Sequence, residues 1–282
     1  MWPIFRCHAP KSKDEALSIL SEEEKIKVLA GGTDLLVELQ SGKKVENLLD
    51  ITQLSDLKWD LGSKAQLISP LSTHAEISDS AFIRENFPAL FKACSLVGSP
   101  QIRNMGTIGG NIANASPAAD SIPPLLIYDA ELTLESKGDS RQVALASILE
   151  GPYRTGIRNH ELITSIYLKP LKGFREGYKR LTIRDSLALS RLSVAYAIRE
   201  EGEMWHEVRL AIGSLTPTPF RAEGFERAIG GQRKDRGLLE GALMDLVNTV
   251  REMAGERPTH RFKIPILKEL IREVFGVRDV NR

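Results

Sequence analysis

A stretch of small residues from Gly106 to Asp120, reading GTIGGNIANASPAAD, constrains the fold of this chain more than any other feature. Its residues follow neither the period of an amphipathic helix nor the alternation of a strand. Glycine and other small side chains let the backbone approach another group closely, as in many binding loops. The stretch is therefore predicted to be a loop that contacts a ligand, and a phosphate-bearing cofactor suits it best.

A second glycine-rich stretch lies earlier in the chain. Residues 26–30 are predicted to form a strand, Gly31 to Asp34 a turn, and residues 35–39 a helix that ends before a further glycine. This order exposes backbone amides at the positive end of a helix, where a diphosphate can bind without Lys or Arg. The alternative is a tight turn in which Thr33 or Asp34 only caps the helix. Neither stretch has the spacing of a Walker loop or of a Rossmann fingerprint.

The rest of this region alternates helical and strand patterns. Thr73 and Glu76 have the spacing of a capping box, so Thr73 is predicted to begin a helix, and His74 to lie at the surface or behind ligand-contacting residues. Further helices are predicted over residues 11–23 and 88–97, and strands over 45–51, 66–69, 131–135 and 162–168.

Asp120 has two predicted roles. If it is the N-cap of a helix in SIPPLLIYDA, then Pro123 and Pro124 fall in the first turn, where their missing N–H groups cost nothing. Alternatively, its carboxylate accepts hydrogen bonds from a sugar or ribityl hydroxyl. The two roles are compatible.

Composition excludes several classes of function. The net charge is +1, which gives no field to hold nucleic acid or an anionic membrane. No run is long and apolar enough to span a bilayer, and the N-terminus lacks the pattern of a signal peptide, so we expect a soluble, cytoplasmic protein without membrane insertion. Two cysteines and five scattered histidines do not provide a metal site. Electron chemistry would need an organic cofactor or a partner's metal.

Composition changes to Pro, Gly and charge around residues 169–177, where a domain boundary is predicted. Beyond it, residues 192–199 and 208–214 form a predicted antiparallel hairpin around Glu201 to Glu203. Helices follow near 222–229, 237–254 and 264–275. The predicted division is a first domain over 1–172, with lobes of about 1–57 and 58–172, and a second domain over 173–282.

Three segments together resemble one known family: residues 28–35 (VLAGGTDL), 101–104 (QIRN) and 107–120 (TIGGNIANASPAAD). They look like the FAD-binding medium subunit of molybdenum hydroxylases, which include carbon monoxide, xanthine and aldehyde dehydrogenases. The resemblance covers essentially the whole chain. It implies an α+β fold, in which a two-lobed FAD-binding domain of the PCMH/VAO type precedes a small α/β C-terminal domain with an antiparallel sheet and helices.

The same resemblance implies a set of FAD contacts. Residues of the first glycine-rich stretch wrap the diphosphate, those of the second meet the cofactor from the other lobe, and Asn114 and Asp120 bind its polar spine. Val97 touches the ring system unless it is a plain core valine, Leu162 offers backbone groups to the flavin edge, and Lys179 lies near FAD unless it is an exposed strand lysine. The implied residues are Val28, Leu29, Ala30, Gly31, Gly32, Thr33, Asp34, Leu35, Val97, Thr107, Ile108, Gly109, Gly110, Asn111, Asn114, Asp120, Leu162 and Lys179.

The function implied is electron transfer, with no catalytic side chain and no metal on this chain. Electrons from iron–sulfur clusters would pass through FAD to NAD, a quinone or oxygen. The implied partners are a large molybdopterin-binding subunit and a small iron–sulfur subunit, in a heterotrimer capable of dimerising. Two alternatives stay open: a self-sufficient FAD-dependent oxidoreductase of the same fold, and a scaffold subunit that has lost the cofactor.

Two segments depart from the family pattern. Residues 182–189 carry their acid early, which leaves the acceptor undetermined because this segment tends to lie by the flavin. Near the C-terminus, the usual Tyr-Arg is replaced in the sequence from His260 to Lys263, so Phe262 has no hydroxyl to offer the flavin. Pro265 is predicted to set the start of the last helix.

Overall fold

The structure, a computed structural model that describes residues 4–64, 66–182 and 190–276, contains three sheets with packed helices and one small hairpin. Two sheets form separate lobes in the N-terminal part, and the third forms the C-terminal part. Of the departing segment 182–189, only Thr182 lies within the described residues.

The first lobe is a parallel sheet with two helices. Its strands have the order β1-β3-β2, and Leu49 of the central strand pairs with both His8 and Val28. Ser12 caps the first helix, but Glu15 returns its carboxylate to the Lys11 amide at 2.8 Å, so the capping geometry is only half formed. The elements are β1 Ile4–His8, α1 Lys13–Glu22, β2 Ile26–Leu29, α2 Leu35–Gln40 and β3 Val45–Asp50.

The second lobe places helices against an antiparallel sheet of order β4-β9-β5-β6. The predicted capping box of Thr73 and Glu76 is present at the start of its first helix. Ile68, Ile108 and Leu126 lie in its buried core. The elements are β4 Leu67–Ile68, α3 His74–Asp79, α4 Ala81–Asn86, α5 Pro88–Leu96, α6 Pro100–Met105, α7 Ile108–Asn114, α8 Ile122–Ile127, β5 Glu131–Ser136, β6 Asp139–Ala144, α9 Leu145–Ile148, β7 Leu149–Gly151, β8 Arg154–Thr155 and β9 Leu162–Tyr167.

The prediction that Gly106 to Asp120 is wholly a loop was wrong, because α7 occupies its centre. The Thr107 hydroxyl accepts from the Gly110 amide at 3.1 Å and so caps this helix. Ile108 and Ile112 are fully buried. Capping and burial thus offset the low helix propensity of the two glycines.

The C-terminal part is an antiparallel sheet of order β10-β11-β12-β13, with β14 paired to β12. The predicted hairpin is confirmed, and its register pairs Ser193 with Gly213 and Glu201 with Met204. The elements are β10 Arg175–Leu181, β11 Leu192–Glu201, β12 Met204–Gly213, β13 Phe220–Arg221, α10 Glu223–Ile229, β14 Gln232–Arg233, α11 Arg236–Ala254 and α12 His260–Val274.

The two faces of this sheet have different neighbours. One face packs on the C-terminal helices through Val194, Ile198 and the fully buried Trp205. The other carries Ala195 and Ala197, which belong to the core of the second lobe. Since alternate residues of a strand point to opposite faces, one strand joins the two cores. The small alanine side chains let helix α8 approach β11 closely.

The prediction that Pro265 sets the start of the last helix was wrong, since α12 begins at His260 and contains Pro265 in its interior. An interior proline removes one helical hydrogen bond. Burial of Leu267, Ile271 and Val274 against the sheet holds the helix together despite that loss. Within the described ranges, no helix is long and apolar enough to cross a bilayer.

Candidate functional site

A cleft of about 440 Å³ lies between the first and second lobes. One wall is formed by residues 26–35, from β2 through the glycine turn into α2. A second wall comes from α7 and the segment before it, and a third from residues 153–163. Both glycine-rich stretches found in the sequence therefore line one cleft.

The two stretches touch each other directly. A Cβ atom built on Gly31 would lie 1.9 Å from the Met105 carbonyl oxygen and 2.8 Å from Gly106 Cα. No side chain fits there, since both neighbours are backbone atoms. Gly32 has φ +70°, which permits the following turn into α2. Gly31 thus allows the contact between the lobes, in addition to lining the cleft.

Four successive backbone amides, from Gly31 to Asp34, have no acceptor among the residues that the structure describes. Asp34 occupies the N-cap of α2 but makes no capping hydrogen bond with its side chain, and Thr33 makes none either. The alternative in which these residues only cap the helix is therefore not supported. A row of free amides around a glycine with positive φ is an anion-binding concavity. The turn fits a phosphate.

Charged side chains around this concavity are largely paired or exposed. Lys43 pairs with Glu38, and Lys27 is exposed on β2. Partial desolvation, together with the neighbouring Glu38, raises the pKa of Asp34. The backbone amides, more than a dedicated lysine or arginine, provide the positive potential at this point of the cleft.

The second wall is fixed by backbone hydrogen bonds to residues 70–74. The Gly109 amide donates to the Pro70 carbonyl at 2.9 Å, and the His74 amide donates to the Gly106 carbonyl at 3.0 Å. A Cβ atom on Gly109 would lie 2.7 Å from the Pro70 oxygen, so this glycine is needed for packing. A Cβ on Gly110 would approach only the Thr107 hydroxyl, at 2.9 Å. Gly110 therefore leaves the cleft surface open.

His74 is buried and lines the cleft, so of its two predicted positions the one at the surface was wrong. Its Nδ1 atom is 3.5 Å from Cys94 Sγ. Desolvation, helped by the charge of Arg103, lowers the pKa of His74 to about 4. The ring is therefore neutral at physiological pH and supports the segment around Gly106 by packing.

Asp120 lies outside the cleft wall, at the boundary with the C-terminal sheet. Its carboxylate accepts from the hydroxyls of Tyr178 and Ser190 and pairs with Arg180 at 2.9 Å. Burial raises the pKa of Asp120, while the two hydroxyls and the Arg180 charge oppose that rise. Three donors on two oxygens are the surroundings of an ionised carboxylate. Because Ser121 is the N-cap of α8, the predicted capping role of Asp120 was wrong.

The structure brings most of the predicted FAD residues together, and it places four elsewhere. Lys179 Nζ lies 3.0 Å from Glu273 Oε1 of α12. Val97 is the C-cap of α5, and its carbonyl accepts from Arg103 at 3.0 Å. Ile108 is fully buried in the core, and the Asp120 carboxylate is bonded to Tyr178, Ser190 and Arg180. Lining the cleft are Val28, Leu29, Ala30, Gly31, Gly32, Thr33, Asp34, Leu35, Thr107, Gly109, Gly110, Asn111, Asn114 and Leu162.

Apart from Leu162, which the family resemblance implies, the third wall was missed from the sequence. It includes Tyr153, Arg158 and Asn159, in a segment that carries no motif. Glu161 holds this segment in place, because its buried carboxylate accepts from Arg141 at 2.7 and 2.8 Å and from the Arg158 amide at 2.8 Å. The hairpin turn before it, with Pro followed by an aromatic residue, was the only available signal.

The cleft as a whole suits an elongated ligand with one anionic centre. The free amides provide an anion site near the contact between Gly31 and Met105. Apolar groups of Val28, Leu162 and Ile163 line the cleft, as planar rings require. These features fit a dinucleotide with a diphosphate at its middle.

Two family models match the chain. The one described as FAD binding domain in molybdopterin dehydrogenase matches residues 3–171, and the one described as CO dehydrogenase flavoprotein C-terminal domain matches residues 176–276.

Individual proteins of this kind are similar over nearly the whole chain. A nicotinate dehydrogenase FAD-subunit from Eubacterium barkeri is 32% identical, with 96% of this chain and 93% of the relative covered. A xanthine dehydrogenase FAD-binding subunit from Escherichia coli O157:H7 is 28% identical, with 98% and 96% covered. A chain in the structure of carbon monoxide dehydrogenase from Hydrogenophaga pseudoflava superimposes with a TM-score of 0.89 at 26% identity, covering 97% of this chain and 96% of that one. The predicted fold class and family resemblance are confirmed.

Proposed function

Because the chain belongs to the family of FAD-binding subunits of molybdopterin dehydrogenases, we propose that it holds FAD in the cleft between its lobes as an electron-transfer subunit. It would serve between iron–sulfur clusters of a partner and NAD or another acceptor. The row of free amides from Gly31 to Asp34 is the observation that carries the assignment of the cofactor to this cleft. When bound, FAD supplies chemistry that takes up electrons singly or in pairs.

The chain's own residues bind and orient the cofactor. Amides of the turn after β2 hold the diphosphate, and the exposed face of α7 at Gly110 and Asn114 forms the opposing wall. The apolar side chains of Val28 and Leu162 exclude water from the rings. The boundary of the FAD-binding domain is proposed at residue 172, with lobes of about 1–57 and 58–172 and a C-terminal domain over 173–282.

The proposed assembly contains a large molybdopterin-binding subunit and a small iron–sulfur subunit, in a heterotrimer that can dimerise in the cytoplasm. The relatives' names support this proposal, because they describe FAD-binding subunits of larger dehydrogenases. Substrate oxidation would then take place on the molybdopterin subunit.

The first experiment measures FAD on the purified chain. We expect one FAD per chain, with flavin absorbance that dithionite bleaches and that aldehydes, purines or alcohols do not bleach in the absence of partners. Bleaching by such a substrate would favour a self-sufficient oxidoreductase. Failure to take up FAD, even after reconstitution, would favour a scaffold and defeat the proposal.

A pair of variants tests whether the cleft is the site. Gly110→Val should reduce FAD occupancy strongly, since a side chain there projects from the cleft wall, whereas Asp34→Ala should be milder because it removes no backbone amide. Gly241 is a matched helical glycine with open space around it, so Gly241→Val controls for the effect of valine in a helix. Unfolding of the FAD-free proteins separates lost binding from lost stability, because valine at Gly110 also presses on the Thr107 hydroxyl. Equal FAD retention in Gly110→Val and Asp34→Ala would place the cofactor elsewhere.

A further inference from the structure

Tyr153 is a large aromatic residue at the mouth of the cleft. The residue lines the cleft and is 66% exposed. Across residues 4–64, 66–182 and 190–276 its hydroxyl has no hydrogen-bond partner. An exposed aromatic ring beside a ligand cleft costs hydrophobic free energy in the empty protein, and covering it with a planar ligand recovers that cost.

The backbone at Tyr153 adopts a conformation that disfavours tyrosine. Pro152 and Tyr153 form the two-residue turn between β7 and β8, since Gly151 pairs with Arg154. Tyr153 has φ +57°, and proline fixes a negative φ before it. This is the pattern of a type II turn, whose third position normally holds glycine. A tyrosine here is therefore strained, in a position where glycine would be more stable.

The strained turn is attached to the opposing wall of the cleft. The Tyr153 amide donates to the carbonyl of Ala115 at 3.0 Å, just beyond the C-terminal end of α7. Behind it, the Gly156 amide donates to the Ile148 carbonyl at 2.8 Å, and Arg141 donates to the Gly156 carbonyl at 2.8 Å. These hydrogen bonds hold the backbone that carries the Tyr153 ring in one position.

Tyr153 and the anion site lie at opposite ends of α7. The free amides lie where Gly31 touches Met105, next to the N-terminal end of α7, while Tyr153 is bonded to its other end. Seven residues of helix span about 10 Å. Asn159, whose amide can both donate and accept, lines the same cleft as Tyr153. An asparagine amide matches the donor and acceptor edge of adenine.

We propose that Tyr153 stacks on the adenine of FAD and so makes the site prefer FAD over FMN, an inference that rests on the proposed function. Tyrosine at the glycine position of the turn then lowers the stability of the FAD-free protein and raises its affinity for FAD. Flavin mononucleotide has no adenine and would not use this contact.

The test uses Tyr153→Gly, Tyr153→Phe and the full-length chain stripped of flavin. Dissociation constants are measured for FAD, ADP and FMN by calorimetry, and urea unfolding is measured without ligand. Tyr153→Gly should weaken FAD and ADP about ten-fold, leave FMN unchanged within two-fold, and keep or raise the urea midpoint. Tyr153→Phe should bind like the original protein. Gln66, also at positive φ but outside the cleft, provides the control variant Gln66→Gly.

Three results would overturn the inference. Unchanged FAD and ADP affinity in Tyr153→Gly would show that the ring is not a contact. An equal loss for FMN would mean that Tyr153 contacts the flavin half. A loss of affinity together with a lowered urea midpoint would indicate a structural role. If the original protein itself binds no FAD, the proposed function fails as well, so failure of the two proposals can be told apart.

Discussion

Replacing Asp120 tests whether its carboxylate joins the domains or contacts the cofactor. In Asp120→Asn the side chain keeps its size but loses its charge, so Arg180 faces a neutral amide in a site where both side chains are about nine-tenths buried. Removing one partner of a buried ion pair costs about 3–5 kcal/mol. The asparagine oxygen still accepts from one of the two hydroxyls, so we expect a loss of about 3 kcal/mol in the free energy of unfolding.

The assay is urea unfolding of the FAD-free chain, paired with FAD titration under native conditions. We expect a lower urea midpoint for Asp120→Asn and FAD affinity within about two-fold of the original. Arg180→Gln should destabilise to a similar degree, and the double variant should lose less than the sum, as for residues in direct contact. Asp245 is an exposed helical aspartate, and Asp245→Asn should leave the urea midpoint unchanged.

The opposite pattern would refute this reasoning. If Asp120→Asn weakened FAD binding and left the urea midpoint unchanged, the carboxylate would contact the cofactor, as the family resemblance implies. Additive effects of the Asp120 and Arg180 substitutions would show that the two side chains are not energetically coupled.

Three further predictions concern Glu176, which accepts a hydrogen bond from the Tyr128 hydroxyl, and the residues Gly31 and Lys179. Burial raises the pKa of Glu176 to about 7 from 4.5, so the free energy of unfolding should fall as the pH rises between these values. Glu176→Gln should remove about 1–2 kcal/mol of that fall, after allowance for solvent screening. An unchanged difference in urea midpoint between pH 5 and pH 8 would contradict this prediction. Gly31→Ala should cost about 3 kcal/mol by urea unfolding, because its Cβ meets the Met105 backbone, whereas Gly241→Ala should cost nothing. Lys179→Ala should leave FAD affinity unchanged in a titration, since the Lys179 ammonium pairs with a carboxylate of α12. A ten-fold loss of FAD affinity would show that Lys179 contacts the cofactor.

Local patterns predicted local structure well. The capping box at Thr73 and the hairpin of β11 and β12 are present, because neighbouring residues determine caps and alternating strands. The helix within Gly106 to Asp120 was missed because its stability comes from burial of Ile108 and Ile112, which tertiary structure supplies. Helix propensity alone disfavours a helix in this segment because of its glycines.

The site could be predicted only in part. Its two glycine-rich walls carry a recognisable pattern, whereas in the third wall the resemblance implied only Leu162. The partners of Asp120 lie about sixty to seventy residues away in sequence, on β10 and beside β11, and no spacing rule reaches that far. One signal was available: Tyr178 and Arg180 alternate along β10 with Lys179 between them, so the strand offers two donors on one face and Lys179 on the other.

The contact between Gly31 and Met105 determines how the cleft can open. The backbones of the two lobes meet there without an intervening side chain, so no change of side-chain rotamer can widen the cleft at that end. The turn at Tyr153, by the other end of α7, is exposed to solvent. We therefore expect a hinge at the glycine contact and an entrance beside Tyr153. A cofactor would enter and leave there, with its diphosphate seated nearest the hinge axis.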